Sequence, residues 1–300
     1  MKPDILFSIV IPTYNRDDLM LETINSVLDQ TYRNFEIIVV DNCSTDNTVE
    51  VVQPLVNSGK IIFLRNEKNF ERAYSRNRGM AHAKGDFLTL LDSDDFLYPN
   101  CLQDACEFVC SHPEIKVFQN RSEVVNDQRQ KVADFHAPSL RNQYKELCSG
   151  NFMSAIGNFI HRDIYTSMKL NDDPHLTGSE DYEYWFRVLA RHKVGRIDKV
   201  NSGIRNHPNR SVHQGVFDNL DYQCEQMVRS IKTDPLVNEK FGKYINRLKA
   251  SFTLMKVIHG YNIFPLKKKL SLLKEAVKKD NSIIFTSRFQ KVLINSFLKK

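Results

Sequence analysis

Three carboxylates lie within four residues, directly after a short apolar run that has the length of a buried strand. The run is residues 87–91, and Asp92, Asp94 and Asp95 follow it. In an extended chain Asp92 and Asp94 project to the same side, so both carboxylates can face one cation. An isolated pair of this kind is more often an acidic, solvated turn that caps a helix. The elements around it must decide between a turn and a divalent-cation site.

Four apolar runs rich in β-branched residues predict strands that are buried on both faces. They span residues 7–11, 35–40, 61–64 and 87–91. Helical patterns separate them, and the third of these ends before Gly85. Strands that alternate with helices predict βαβ units, so we expect an α/β fold with a mainly parallel sheet.

The remaining sequence divides into a mixed part and a helical part. We expect a helix from Pro99 to about Cys110, a strand over residues 115–118, an irregular stretch over 120–150 and a helix over 180–190. From about residue 218 the pattern is helical and basic, with leucine-rich stripes. We therefore predict an α/β domain over residues 1–215 and a basic amphipathic helical region over residues 216–300.

Composition narrows the class of protein. Apolar residues make up 41% and charged residues 26% of the chain, as in ordinary globular proteins. No apolar run approaches the roughly 18 residues that span a bilayer, and we expect no secretory signal. Six cysteines without a Cys-x2-Cys pair disfavour a zinc site and favour reduced thiols in a cytoplasmic protein.

Positive charge is concentrated in the helical part. Residues 1–230 carry 26 Lys and Arg against 32 Asp and Glu, a net charge of −6, whereas residues 231–300 carry 16 against 4, a net charge of +12. The lysines are interleaved with leucine stripes and not with exposed aromatic side chains, which favours the anionic inner face of a membrane over a nucleic acid as the partner. Helices packed on the α/β domain with a solvated lysine face are the alternative.

Polar side chains follow three of the predicted strands. Strand four is followed by the acidic cluster, strand two by Asp41, and strand one by Pro12, Thr13, Tyr14 and Arg16. Ligands bind outside the carboxyl ends of strands in an open parallel sheet, so these groups should converge on one crevice. Neither glycine-rich phosphate-binding motif is present, so a nucleotide diphosphate would need a cation held by carboxylates. A base could then hydrogen-bond to Asp41 and stack on Tyr14, with Arg76 near the phosphates.

These residues resemble the motifs of family 2 glycosyltransferases, which are inverting, metal-dependent enzymes of the GT-A fold. Four segments carry the resemblance in order: residues 8–16 (SIVIPTYNR), 41–48 (DNCSTDNT), 75–79 (SRNRG) and 91–95 (LDSDD). The resemblance is close over about residues 5–110 and looser over about 150–213. One departure is Asn42, where the family usually has a second Asp.

The resemblance implies a role for each matching residue. Asp41 contacts the base, Asp92 faces the ribose, and Asp94 binds Mg²⁺ or Mn²⁺ that bridges the diphosphate. Asp95 is either a further metal ligand or a neighbour of the metal. The rest of the donor pocket is implied to consist of Pro12, Thr13, Tyr14, Arg16, Arg76 and Ser93.

A second acidic motif lies at residues 178–187, where Asp181 matches the family's general base and Glu180 stands beside it on the acceptor side. Both carboxylates could instead only favour a helix N-terminus. Trp185 is a candidate for stacking on an acceptor sugar, with burial in the core as the alternative. His207 matches a family histidine near the diphosphate and metal, and a surface-loop histidine is the other interpretation.

The predicted function is transfer of a sugar, with inversion, from a nucleotide-diphosphate donor to a hydroxyl of a glycan or lipid-linked saccharide. A UDP-sugar is the first candidate from family habit. Such a protein would act in cell-surface polysaccharide synthesis, in the cytoplasm or at the inner face of the membrane. The alternatives are a sugar nucleotidyltransferase, which would want a glycine-rich basic loop after strand one, and a non-catalytic nucleotide-sugar-binding module.

Overall fold

The computed structural model describes residues 4–207, 210 and 219–298. The chain divides into two compact units. The first comprises Met1–Ala137 and Met153–His213, and the second comprises Pro138–Phe152 and Gln214–Lys300. The predicted boundary at residues 215/216 lies outside the described residues and stays a prediction.

The first unit contains a mixed sheet whose parallel half matches the predicted βαβ units. Its described strands are β1 (Phe7–Thr13), β2 (Phe35–Asp41), β3 (Ile62–Arg65), β4 (Phe87–Leu90), β5 (Phe96–Leu97), β6 (Val117–Val125), β7 (Lys131–Asp134), β8 (Asn158–His161) and β9 (Val194–Arg205). The order is β3-β2-β1-β4-β8-β6-β9-β5, with β7 paired to β6. Neighbours among β3, β2, β1 and β4 are parallel, as are β6 and β9. The predicted α/β class is confirmed.

Helices of the first unit flank this sheet, and further helices form the second unit. Those of the first unit are α1 (Met20–Leu28), α2 (Thr48–Asn57), α3 (Glu71–His82), α4 (Cys101–Ser111), α6 (Arg162–Tyr165) and α7 (Glu180–Arg191). Those of the second unit are α5 (Gln143–Ser149), α8 (Leu220–Thr233), α9 (Pro235–Phe241), α10 (Ile245–His259), α11 (Leu266–Lys279) and α12 (Ser287–Leu298). No helix in the described ranges is both long and apolar enough to cross a membrane.

Two sequence-based expectations about individual segments were wrong. Residues 61–64 were expected to be buried on both faces, but β3 is half exposed because it ends the sheet and has β2 alone as its partner. Residues 120–150 were expected to be irregular, yet they hold most of β6, all of β7 and α5. These elements are short or polar, and β7 is exposed along its whole length, so no apolar periodicity marks them.

The core of the first unit is built around β1, all seven residues of which are buried. Phe7 makes an edge-to-face contact with Phe159, and the Phe118 and Phe159 rings stack with centroids 4.9 Å apart. Helix α3 lies close to the opposite face of the same strand. A Cβ atom at Gly79 would lie 2.3 Å from Val10 Cγ1, so the helix can approach β1 because this position lacks a side chain. This close approach holds α3, the helix that carries Arg76, against the sheet.

The second unit has its own core, formed where α10, α11 and α12 meet. Ala250 and Leu254 of α10 are nearly fully buried there. Of the predicted leucine stripe on α11, Leu273 is buried in the same core, whereas Leu266 is 46% exposed. Arg247 of α10 is also buried and donates to Ser149 Oγ (2.9 Å) and Ser282 Oγ (2.8 Å). The segment that precedes residue 153 is therefore tied into the C-terminal helices.

Candidate active site

The carboxyl ends of β1 and β2 lie side by side, as the sequence predicts. Thr13 and Asp41 are cross-strand partners in the parallel ladder, and the Asn42 amide donates to the Thr13 carbonyl at 2.8 Å. On the other side of β1, the Leu91 amide donates to the Val10 carbonyl at 3.0 Å. The three polar strand ends therefore share one edge of the sheet.

The acidic turn after β4 is fixed by α1. The Asp95 amide donates to the Asp92 carbonyl at 3.0 Å and closes the turn. The hydroxyl of Thr23, which is 1% exposed, lies 3.0 Å from the Ser93 carbonyl oxygen and 2.8 Å from that of Asp95. Ser93 is itself buried, so its backbone belongs to the framework of the turn. The helix thus determines where the Asp92 and Asp94 carboxylates point.

A buried guanidinium joins this turn to the second acidic motif. Arg76 of α3 is 2% exposed, and it donates to Asp92 Oδ1 at 2.7 Å and to Glu180 Oε1 at 2.5 Å. Burial opposes the charged form, but attraction to Asp92, Glu180 and Asp181 outweighs it and raises the pKa of Arg76. This ion pair therefore joins Arg76 and Glu180, which are 104 positions apart in the chain.

Asp181 lies beside this ion pair at the start of α7. Burial and the adjacent Glu180 carboxylate raise the pKa of Asp181 to about 7, against the opposing effect of Arg76. Its Oδ1 accepts the Tyr182 amide at 2.7 Å, and the residue keeps part of its surface exposed. A carboxylate whose pKa lies near neutral pH is a stronger base than an ordinary Asp and still deprotonates under physiological conditions.

Asp94 and His207 form a second, separate polar contact. Asp94 Oδ2 lies 3.1 Å from His207 Nε2 and 3.4 Å from a terminal nitrogen of Arg16. Burial would raise the pKa of Asp94, but the His207 hydrogen bond and the charges of Arg16 and Arg210 lower it, so the carboxylate is ionised. The ring of His207 faces the acidic turn and its side chain is 9% exposed. This favours a position at the site over the interpretation as a surface-loop histidine.

Asp95 does not join this contact. It is 1% exposed and its Oδ1 accepts the Arg205 amide at 2.8 Å. Burial and the neighbouring Asp94 charge raise its pKa well above the usual value. No group of three or more His, Cys, Asp and Glu side chains in the described part of the chain is arranged to hold a metal ion. Of the predicted metal-binding set, the structure brings Asp94 and His207 together, whereas Asp95 is hydrogen-bonded to the backbone of β9. The binding of a cation by these residues stays a prediction.

The predicted base pocket is organised around Asp41. This fully buried carboxylate lies 3.2 Å from Arg65 Nε, and both of its oxygens are 3.2 Å from the Ser44 amide. Pro12 and Thr13 are buried beside it, and the Thr13 hydroxyl has no hydrogen-bond partner within the described residues. Tyr14 is 42% exposed, so of these groups its ring is the one open to a ligand.

Asn42, which stands where the family usually has a second Asp, has a structural role. It is 5% exposed, and its Oδ1 accepts from Asn66 Nδ2 (2.8 Å) and the Phe70 amide (3.1 Å). Its Nδ2 donates to Asn69 Oδ1 at 2.6 Å. The side chain therefore fastens the loop that leads into α3, the helix that carries Arg76. Periodicity gives no signal for such a role.

Trp185 is not available to an acceptor. Its side chain is 1% exposed within α7 and makes an edge-to-face contact with Tyr184, at a centroid distance of 5.3 Å. A ring buried to this extent cannot stack on a sugar, so the predicted acceptor contact is corrected to a core position. Thr23, Arg65 and Arg205, in contrast, contribute to the site and were missed, because each acts through backbone or buried contacts that spacing does not reveal.

The fold and these strand-end residues define a nucleotide-sugar transferase architecture of the GT-A type. The solved structure of TarS residues 1–349 from S. aureus with UDP-GlcNAc superimposes with a TM-score of 0.70 at 18% identity, covering 97% of this chain and 88% of that one. The sequence profile described as "Glycosyl transferase family 2" matches residues 8–169. The chain belongs to glycosyltransferase family 2, and the predicted family and fold are confirmed.

Curated relatives agree with this assignment. WfgD of Escherichia coli, a UDP-Glc:α-D-GlcNAc-diphosphoundecaprenol β-1,3-glucosyltransferase, is 30% identical over 200 residues, which is 67% of this chain and 75% of that protein. An uncharacterized glycosyltransferase of Rickettsia felis is 28% identical over 209 residues, 67% of this chain. The aligned part spans only 33% of that relative.

Replacing Arg76 with methionine should destabilise the fold by about 3–5 kcal/mol at pH 8, because the buried Glu180 carboxylate and the half-buried Asp92 carboxylate lose their cation. The loss should shrink as the pH falls to 5. The pKa of Asp181 is already raised in the folded state, and loss of Arg76 removes an interaction that lowers it, so protonation favours the folded state of the variant. Urea denaturation at both pH values measures this.

Arg78→Met on the same helix is the matched control. Arg78 is half-buried and donates to the Arg65 carbonyl and to Asn66 Oδ1. Its loss should cost about 1 kcal/mol and be independent of pH in this range. Equal, pH-independent losses in both variants would contradict the central role assigned to Arg76.

Proposed function

We propose that the protein is an inverting glycosyltransferase that moves a sugar from a nucleotide-diphosphate donor to a hydroxyl of a glycan or lipid-linked saccharide. One observation carries the proposal: Arg76 ties Asp92, on the strand-end turn that would face the donor, to Glu180, which stands next to the raised-pKa carboxylate of Asp181. A donor-side group and a base are thus built into one charge network. A module that only binds a nucleotide sugar would not need a general base.

Asp181 is the general base in this proposal. It takes the proton of the acceptor hydroxyl as that oxygen attacks the anomeric carbon, the bond to the nucleoside diphosphate breaks, and the configuration inverts. Glu180 keeps the pKa of Asp181 high by repulsion, and Arg76 limits that rise. The acceptor proton therefore moves to a carboxylate that is basic enough to hold it near neutral pH.

Mg²⁺ or Mn²⁺ fits the donor side. Asp94 offers an ionised oxygen ligand and His207 an imidazole nitrogen within the same contact, and substrate phosphates commonly complete such a site. When bound, the cation would neutralise charge that develops on the departing diphosphate. Arg16, beside Asp94, would face the same phosphate charge.

The relatives support a proposal for the donor and acceptor classes. WfgD is named for a UDP-Glc donor and a diphosphoundecaprenol-linked acceptor, and the TarS structure holds UDP-GlcNAc. We propose a UDP-sugar donor for this chain, with Tyr14 stacking on the base and Asp41 fixing the pocket behind it. Polysaccharide synthesis in the cytoplasm is the matching setting.

Asp181→Asn should leave donor binding intact and lower transfer by about 10²–10⁴-fold, because the base is lost while the donor side is untouched. UDP-sugar binding is measured by thermal shift and transfer by UDP release. The matched control is Asp172→Asn, an exposed carboxylate of the same unit, which should transfer at the wild-type rate. Wild-type transfer by Asp181→Asn would exclude it as the base.

The raised pKa of Asp181 also predicts the pH profile. The base works only when deprotonated, so kcat/KM should fall about tenfold per pH unit below pH 7, whereas an ordinary Asp would stay active to about pH 4. A profile that is flat from pH 8 to pH 5 in a stable enzyme would contradict the assignment. Protein stability at each pH is checked by circular dichroism.

Asp94→Ala should abolish the extra thermal stabilisation that UDP and Mn²⁺ produce together, because the cation would lose its charged ligand. Each variant is melted with UDP, with Mn²⁺ and with both, and Asp172→Ala serves as the control. An undiminished joint effect of UDP and Mn²⁺ in Asp94→Ala would place the cation elsewhere. Other nucleoside diphosphates in the same assay test the preference for uridine.

We also propose that the second unit contacts an anionic membrane surface. Ile263 and Phe285 are each 79% exposed, and Lys267 and Lys268 are exposed near the first of them. Apolar side chains beside lysines suit a headgroup region. Deleting residues 264–300 would remove α11 from the core, so point variants are the sharper test.

Ile263→Ser/Phe285→Ser should weaken binding to vesicles of 30% phosphatidylglycerol in phosphatidylcholine by about tenfold or more, because two apolar side chains no longer insert. Co-sedimentation measures the effect. Leu21→Ser/Ile62→Ser, which changes two exposed apolar residues of the first unit, should bind as the wild type does. No binding by the unaltered chain would end the proposal.

A further inference from the structure

A polar groove lies within the second unit, apart from the residues assigned to transfer. It has a volume of about 610 Å³, and α5, α10, α11 and the short helix Gly242–Tyr244 contribute to its walls. Five cationic side chains line it against one carboxylate: Lys145, Lys243, Arg247, Lys278, Lys279 and Asp280. The lining therefore carries a formal charge of +4.

Two of the five cations are already paired. Arg247 lies 3.2 Å from Asp280 Oδ2, and Lys279 Nζ lies 2.6 Å from Glu275 Oε1. Arg247 is buried and thereby fixes one wall, because it also holds Ser149 and Ser282. The charges of Arg247 and Lys279 are balanced by these carboxylates, so the excess positive charge of the groove comes from the other lysines.

The other three cations have no ion pair within the described residues. They are Lys145, Lys243 and Lys278, which come from three different elements. Like charges gathered around one concave surface repel one another, and this repulsion weakens the fold unless an anion lies between them. A solvated helix face would spread its lysines outward and would not bring them to a common groove.

The chemistry of the lining indicates which anion fits. Side-chain amides and a hydroxyl accompany the lysines, and Val277 and Tyr244 are the apolar contributors. This lining suits neither an acyl chain nor a nucleobase. Phosphate oxygens accept hydrogen bonds from ammonium and amide groups, and the volume exceeds what a single phosphate fills.

We propose that this groove is a binding site for a multiply charged phosphate group, either a diphosphate or a short phosphodiester run. The group belongs to a soluble chain or to a lipid headgroup, and the chemistry is the same in both. The site does not depend on the proposed transfer reaction, because all of its lining lies in the second unit. The test measures phosphate binding directly, so its result does not depend on whether the protein transfers a sugar.

The probe is inorganic tripolyphosphate, titrated calorimetrically into the full chain with EDTA present so that no cation recruits it to Asp94. The groove variant is Lys243→Glu/Lys278→Glu. Both positions are exposed and make no ion pair with any described residue, so the fold should persist. The matched control is Lys274→Glu/Lys291→Glu, an equal charge change at exposed lysines of α11 and α12 outside the groove. Circular dichroism verifies all three proteins.

We expect the groove variant to bind tripolyphosphate about tenfold or more weakly, and the control to stay within about twofold of the wild type. Equal losses in both variants would overturn the proposal in favour of diffuse attraction, and no binding by the wild type would overturn it outright. Vesicles of phosphatidylcholine with 30% cardiolipin, a lipid whose headgroup carries two phosphates, then separate the sources. Binding that the groove variant loses and the control keeps identifies a lipid headgroup, and unchanged vesicle binding identifies a soluble phosphate chain.

Discussion

A buried guanidinium is the interaction on which the rest of the first unit depends. Arg76 pairs with Asp92 and Glu180 while being almost fully buried, so the acidic turn after β4 and the start of α7 cannot move independently. Buried ion pairs seldom add much stability over apolar packing, but breaking one is costly. Their value here is positional, since the pair sets the distance between the Asp92 turn and the start of α7, which carries Asp181.

The same interaction divides the carboxylates by function. Asp94 is ionised by its hydrogen bond to His207 and the nearby arginines, whereas burial and Glu180 raise the pKa of Asp181. Asp95, one residue from Asp94, has its pKa raised and is committed to the backbone of β9. Neighbouring side chains of one type thus acquire distinct properties from their surroundings, as is usual in active sites.

Much of the parallel half of the sheet could be predicted from apolar runs, because strands buried between helices carry a strong pattern. The family motifs placed Asp92, Asp94 and Asp181, which lie at strand and helix ends as expected. Other features left no such trace. The sequence left Trp185 open between an acceptor contact and the core, Asp95 depends on a distant strand, and the contacts of Thr23 and Arg205 are tertiary. The exposed strand β7 lacks any apolar period.

The position of α5 has a consequence for how this protein can vary. Leu147 and Cys148 are buried, and the Ser149 carbonyl accepts from Ser251 Oγ at 2.7 Å and from Arg288 at 3.0 Å. The helical unit is therefore formed by two stretches that are distant in the sequence. If recombination exchanged the C-terminal helices alone, residues 138–152 would pack against helices that do not match them. Residues 138–152 and the C-terminal helices must therefore be inherited, exchanged or redesigned together.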